Sequence, residues 1–471
     1  MRLWSKANGA RCWRSAPAPS VLTLALTRVV VCCLVLGSEE LQQARSFAAT
    51  ASVVRAPAQG LSWLVNALPC VNQSTVLLQW AVMLGAVLGA LGLFTRWALC
   101  LTALPLTLVF ALPHFAGAPR HSMHIVWLFW ILCLSPCARV FSLDCCARRH
   151  WPSWPSQRSS GAETQLALGA IWACLAAVYF FPGLWKLVQS GPAWVFSSNL
   201  QNQMYYKWAQ FGVVPELRPD RHPWLMHWGA AGVVLFELAF PLLMLTRATR
   251  LLAAVGGLVF HELAARTMYL GFSALTWCYV ALVDWSALSS WLRRGVWSRQ
   301  ASLPPAMPVA PVLTRIGKSA LRLRRAWPLA LVAAVVVVGT WVQGARGQMR
   351  AYPFACYPTF QWLAADRMPD LLITVVRDDG EHPVVDGPAS GGVRTQYLWG
   401  IAWRALGAYD GRPDQRALKA YLELLLAPGS AERGKALAGG RAVRFYRADV
   451  DIRPGHWSDI VSSVLLFELR L

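Results

Sequence analysis

The stretch Thr164-Gln-Leu-Ala-Leu-Gly-Ala-Ile-Trp-Ala-Cys-Leu-Ala-Ala-Val-Tyr-Phe-Phe-Pro-Gly-Leu-Trp185 decides how this chain folds. It carries no charge and is long enough, at 1.5 Å per helical residue, to cross a hydrocarbon core about 30 Å thick. Its end runs on as Tyr179-Phe-Phe-Pro-Gly-Leu-Trp-Lys-Leu-Val-Gln-Ser-Gly-Pro-Ala-Trp-Val195, an aromatic helix end of the kind that settles at a membrane interface. Lys186 closes the run, hemmed by Trp185 and Trp194. Proteins make a base or nucleophile of a lysine by drawing its amine out of water, so Lys186 is the first candidate catalytic residue. The same stretch also fits a lysine that lays its stem along the helix end and keeps its ammonium wet.

The rest of the chain repeats that pattern. Of 471 residues 56% are hydrophobic and 14% charged, where soluble domains carry about a quarter charged. Apolar runs predict spans at about 20–37, 74–93, 97–116, 122–138, 164–185, 223–245, 249–269, 271–288 and 327–344. The fold class expected is membrane all-α, a polytopic bundle of eight or nine transmembrane helices with the lipid bilayer as its surroundings. The 25 Trp suit interfacial anchoring. A net charge of +21 does not make a nucleic-acid binder here. The basic residues lie between apolar runs instead of gathering on one soluble domain.

Those basic residues set an expected orientation. With the N-terminus inside and nine spans, Arg96, the 139–158 loop, Arg247, Arg250 and the acid-free stretch 289–326 all fall on the cytoplasmic side. The resulting division is a cytoplasmic tail over 1–19, a bundle over 20–290, a basic cytoplasmic linker over 291–326, a last helix over 327–344 and an extracytoplasmic α+β domain over 345–471. This is a multi-pass protein of the cell membrane. In the last part, strand-like alternation occurs at Leu371–Val376, Ala442–Arg447 and Val461–Leu469, and a helix at about Asp414–Leu426. Arg2, Lys6, Arg11 and Arg14 before the first apolar run resemble a signal peptide. Arg28 inside that run and Ser38-Glu-Glu after it favour an uncleaved first helix.

Ionisable residues at membrane depth are costly, so each needs a partner, a cavity or a task. Arg28 and Glu237 could pair and fix the helix packing, or line a polar cavity holding a substrate or proton route. Glu262 and Arg266, four residues apart, can pair along one helix face. His261 points about 100° away from Glu262. His121 and His124 have a spacing that metal ligands use and His114 is near, but no carboxylate accompanies them, and no metal site is expected. His121 is read as a core or interfacial histidine, or as an acid/base group. The 12 Cys show no Cys-x-x-Cys spacing. Cys70 and Cys356 fall in segments placed outside, which leaves a disulfide between them open.

Several of these residues stand in a recognisable order. Tyr179-Phe180, Gly183, Lys186-Leu187 and Trp194-Val195 resemble a stretch of the vitamin K-dependent gamma-glutamyl carboxylase family, whose membrane part is the HTTM domain. Leu22–Arg28 resembles that family's opening helix with its arginine. His121-Ser122, Phe236-Glu237-Leu238, and Phe260-His261 with Gly271 follow in the same sequence, so the resemblance covers about residues 15–290. It implies that Lys186 is a base acting on a reduced, vitamin K-like quinone, that His121 assists, and that His261, Arg28 and Glu237 lie at the cofactor pocket. Two departures stand out. Ala264 replaces the family's usual asparagine, and the tail does not match the large outer region that binds the carboxylase's substrate. Tyr352-Pro-Phe-Ala-Cys-Tyr-Pro-Thr-Phe360 resembles a Pro-aromatic motif that follows the last helix of bacterial HTTM-type proteins.

Two functions therefore compete. One is a quinol-dependent carboxylase- or epoxidase-like enzyme. The other is a non-catalytic membrane module whose outer domain binds a protein partner or a lipid. A transporter ranks below both, for want of an inverted repeat or paired broken helices.

Overall fold

The computed structural model describes residues 21–48, 53, 72–115, 121–151, 153–154, 161–290, 320–349, 351–356, 359–384, 395–407, 412–425, 437–457 and 459–471. The N-terminal tail, Cys70 and most of the basic linker lie outside the described residues.

The apolar runs form helices α1 (Val21–Leu36), α2 (Asn72–Leu91), α3 (Thr95–Phe115), α4 (Met123–Leu134) and α5 (Gly161–Ser190). After a surface helix α6 (Asn199–Phe211) come α7 (Pro223–Leu243), α8 (Arg247–Met268), a short helical segment Ser273–Leu282, and α9 (Ala320–Ala345). The chain passes back and forth between two ends of one bundle. At the lower end the Thr23 hydroxyl donates to Val283 O (2.9 Å), the Asp144 N–H to Gly92 O (2.8 Å), and Arg247 pairs with Asp284 (3.1 Å). At the upper end Ser122 donates to Glu40, Trp185 Nε1 to Gly344 O (2.7 Å) and Trp194 Nε1 to Phe360 O (2.7 Å).

Among the described residues, seven helices are long and apolar enough to cross a membrane: Val21–Gln42, Ser74–Leu91, Thr95–His114, Gly161–Ser190, Pro223–Leu243, Arg247–Met268 and Ala326–Ala345. Two of the nine expected spans are shorter apolar elements, Met123–Leu134 and Ser273–Leu282. At 1.5 Å per residue each covers only about half of the hydrocarbon thickness. Nearly every residue of α4 is buried by other helices, so this segment is greasy because it is core. A hydropathy window cannot tell those two origins apart.

Arg28 does not pair with Glu237. It is 0% exposed and donates from Nη1 to Cys137 O (3.0 Å) and from Nη2 to Phe141 O (2.6 Å), with Ala90 O at 3.5 Å. The chain beyond α4 leaves carbonyls without helical partners, and a guanidinium with five N–H groups satisfies several at once. Nearby, Asp144 accepts from the Phe94 and Thr95 N–H groups (2.8 and 2.9 Å) and the Thr95 hydroxyl (2.7 Å), capping the positive end of α3.

Beyond α9 the chain builds an antiparallel sheet of β1 (Arg367–Arg377), β2 (Gly380–Pro383), β3 (Ala442–Asp451) and β4 (Ile460–Arg470), in the order β2-β1-β3-β4. Ile373 faces Phe445 and Val375 faces Val443 across β1 and β3. These side chains are buried in one core with Ile401 and Ala402 of α10 (Thr395–Ala405) and Leu418, Tyr421 and Leu422 of α11 (Gln415–Leu425). The three strand-like runs lie within β1, β3 and β4, and the helix expected near 414–426 is α11. Strand β2, Gly-Glu-His-Pro, has no apolar residue and exists only through its pairing with β1.

Candidate active site

Lys186 sits one turn from the upper end of α5, buried to 2% exposure. What brings it to a partner is Gly183. A Cβ there would stand 2.8 Å from Glu237 Cβ and 3.2 Å from the Leu238 N–H nitrogen, so only glycine lets α5 and α7 touch at this point. Three residues on, about one turn, the same face of α5 presents Lys186 to Glu237. The ammonium donates to both carboxylate oxygens, at 2.7 and 2.6 Å, and lies 5.2 Å from the centre of the Trp194 ring. Neither charge is left for the apolar surroundings to destabilise alone.

A second polar cluster lies on the same side of the bundle. The Tyr179 hydroxyl is 2.6 Å from His261 Nε2 and in hydrogen-bond contact with the Tyr279 hydroxyl. His261 Nδ1 is buried with no hydrogen-bond partner among the described residues. Gly257 makes room for this group, because a Cβ there would meet the Tyr279 hydroxyl at 2.3 Å. Around it, Tyr179 stacks on Phe240 at 4.0 Å and Phe236 stacks on Phe260 at 5.6 Å, which holds the tyrosine in place.

The segment after α9 crosses the upper end of the bundle as a strap. Tyr352 donates its hydroxyl to Thr107 O, and Pro353 O accepts from Trp127 Nε1 (2.5 Å). Cys356 Sγ donates to Ala177 O (3.1 Å), Gln361 O accepts from Ser190 (2.7 Å), and Asn202 and Gln203 reach Ala364 O and Trp362 O (2.8 and 3.0 Å). Cys356 is a buried thiol, and Cys70, with which a disulfide was left open, lies outside the described residues. The tail motif is therefore part of the site's wall.

These elements enclose a cavity of about 400 Å³. Lys186, Glu237, His261, His121 and Tyr179 all line it, with Trp194, Phe260 and Phe360 among the aromatic walls. Four of the five sequence candidates meet here. Arg28 does not, being engaged with carbonyls at the other end of α4. His124 also lines the cavity, its Nδ1 3.1 Å from His121 O, whereas His114 packs against the Tyr352 ring at 5.1 Å. Among the described residues no group of three His, Cys, Asp or Glu is arranged to hold a metal ion. Glu262 and Arg266 do pair, at 2.6 Å, on an exposed face. Tyr279 and Gln203 are the site residues that reading the sequence missed. One lies in a short apolar segment and the other in a surface helix, and neither position carries a local signal.

A bundle with seven helices long and apolar enough to cross a membrane among the described residues, packed around an apolar cavity and a buried ion pair, defines a polytopic membrane protein. Residues 19–289 match the HTTM domain, and the chain belongs to that family of membrane domains. Comparison with curated proteins and with solved structures gives no match.

Proposed function

We propose that the cavity is the active site of a membrane enzyme acting on a quinol-like lipid, with Lys186 and Glu237 as its proton-handling pair. The observation that carries this reading is the pairing of a buried ammonium–carboxylate couple with open space. A couple whose only task is helix packing is covered by side chains, yet Lys186 and Glu237 both face a cavity of about 400 Å³, within the usual 300–1,000 Å³ of small-molecule sites. The unpartnered Nδ1 of His261 supports a ligand with a polar edge. Trp194, Phe260 and Phe360 offer flat walls for a ring. These residues fit a reduced, vitamin K-like quinone, which when bound would supply an acidic ring hydroxyl.

The ion pair divides the work differently from a lone lysine base. Lys186, held as an ammonium by two hydrogen bonds, has no lone pair to offer. Glu237 is the group able to accept a proton at Oε1 or Oε2, after which the Lys186 ammonium neutralises the oxygen that lost it. Net charge in the cavity is unchanged by the transfer, the condition under which a dry site tolerates it. His121 and His261, on the same wall, are placed to orient the ring's oxygens.

The arrangement of basic residues supports an orientation with the Lys186 end outside and the sheet domain extracytoplasmic. The test is turnover in lipid nanodiscs with a reduced naphthoquinone and dioxygen, followed by loss of quinol absorbance. Wild-type protein should consume quinol faster than Lys186→Ala and Glu237→Ala, with all three expressed in the membrane. Equal rates for all three would overturn the proposal.

A further inference from the structure

We infer that the cavity is loaded sideways from the bilayer, through a cleft between the upper halves of α7 and α8, and that its ligand is an amphiphile with an apolar tail. This rests on the reading of the cavity as a ligand site and adds the route and the shape of the ligand. Along α7 the cavity is lined by Leu225, Gly229, Val233 and Glu237. That is one i, i+4 row leading from the helix's upper end to the ion pair, about 18 Å of helix at 1.5 Å per residue. The facing wall on α8 is Leu263, Ala264 and Thr267 above His261. The polar groups therefore stand at one end of the row, and the remaining α7 positions are apolar or glycine.

The upper part of this row is open. Among the described lining residues, the exposed ones are His121, Leu217, Leu225 and Leu263. Leu225 is 36% and Leu263 51% exposed, although both also face the cavity. Their surroundings mark the boundary between lipid and water. Trp224 and Trp228 stand exposed on α7, as interfacial tryptophans do, and the exposed Glu262–Arg266 pair lies beside Leu263. A cleft at that level faces the headgroup border of the leaflet on the Lys186 side. A ring with polar oxygens can slide in from there while its tail stays between Leu225 and Leu263. A polar, tail-less solute gains nothing from such a doorway.

Gly229 is the natural plug point. A Cβ there meets only Leu200 Cδ2, at 3.5 Å, so a larger side chain is tolerated by the backbone and projects into the row. The probe is a prenylated naphthoquinone with a diazirine at the tail end, photolysed with the full-length protein in lipid nanodiscs. Labelling counts as specific where excess unlabelled prenylated naphthoquinone competes it away. Specific labels should fall on the upper halves of α7 and α8, and Gly229→Phe should lose them while keeping the wild-type melting temperature. Leu263→Trp, at an exposed position, provides the second blocked doorway and should also lose them. Specific labels on the strap or on α3 and α4, or undiminished labelling in both variants, would overturn the sideways route alone. Absence of any specific label in the wild-type cavity would sink this inference together with the proposed quinol site.

Discussion

Removing one partner of the Lys186–Glu237 pair should destabilise the protein far more than removing both. In Glu237→Leu the ammonium loses the carboxylate that accepted both of its short hydrogen bonds, while remaining 2% exposed. In Lys186→Met the carboxylate, 5% exposed, is left without its counter-ion. An uncompensated buried charge of this kind costs about 3–5 kcal/mol. The double variant Lys186→Met/Glu237→Leu removes both charges and fills their volume, and buried pairs replaced this way are typically neutral or even stabilised by about 1–4 kcal/mol. The coupling energy between the two positions should therefore be at least about 6 kcal/mol and favour the pair being present or absent together. The assay is thermal unfolding in nanodiscs, followed by a thiol-reactive dye, since Cys32, Cys174, Cys278 and Cys356 are buried in the folded bundle. Single variants that each cost under about 1 kcal/mol, as an exposed pair would, refute the buried couple and the site built on it.

Gly183→Ala should separate α5 from α7, costing about 1–3 kcal/mol by overpacking and weakening quinone binding, read by unfolding and by competition of the photoprobe. Tyr179→Phe keeps the ring stacked on Phe240 but leaves buried His261 Nε2 without its partner, so stability should fall by about 1–3 kcal/mol and ligand affinity should fall with it, measured by unfolding and by the same competition. Arg28→Met should cost about 2–3 kcal/mol in unfolding, because carbonyls of Cys137 and Phe141 lose their donor, and should leave probe affinity at the wild-type value. A large loss of probe affinity with intact stability would instead return Arg28 to the site.

How much of this was legible in the sequence follows from what each residue must do locally. Long uncharged runs announce helices whatever they pack against, so the bundle could be read directly. The two short apolar elements could not be ranked, because burial in protein and burial in lipid select the same side chains. Lys186, Glu237 and His261 were legible because charge or imidazole in an apolar run is costly without a purpose. Their pairing was not. Arg28 and Glu237 each stand alone in an apolar helix and look equally in need of a partner, and only the close approach at Gly183 decides that Lys186 takes the carboxylate. Nor did the pattern show that Arg28 would serve the carbonyls of a loop more than a hundred positions away. The strap's Tyr352–Phe360 motif drew notice by its Pro and aromatic content, but its role as cavity wall depends on bonds from α3, α4 and α5 that no local rule foretells.

The central claim is that an ammonium and a carboxylate share a chamber with a ring-bearing lipid. An experimental structure of the nanodisc-embedded protein soaked with a prenylated naphthoquinone tests it most directly. Density for the ring oxygens should appear within hydrogen-bond reach, about 3 Å, of Lys186, Glu237 or His261, with the tail leaving past Leu225 and Leu263. A chamber filled by packed side chains, with the Lys186 ammonium in water and away from Glu237, would contradict the account.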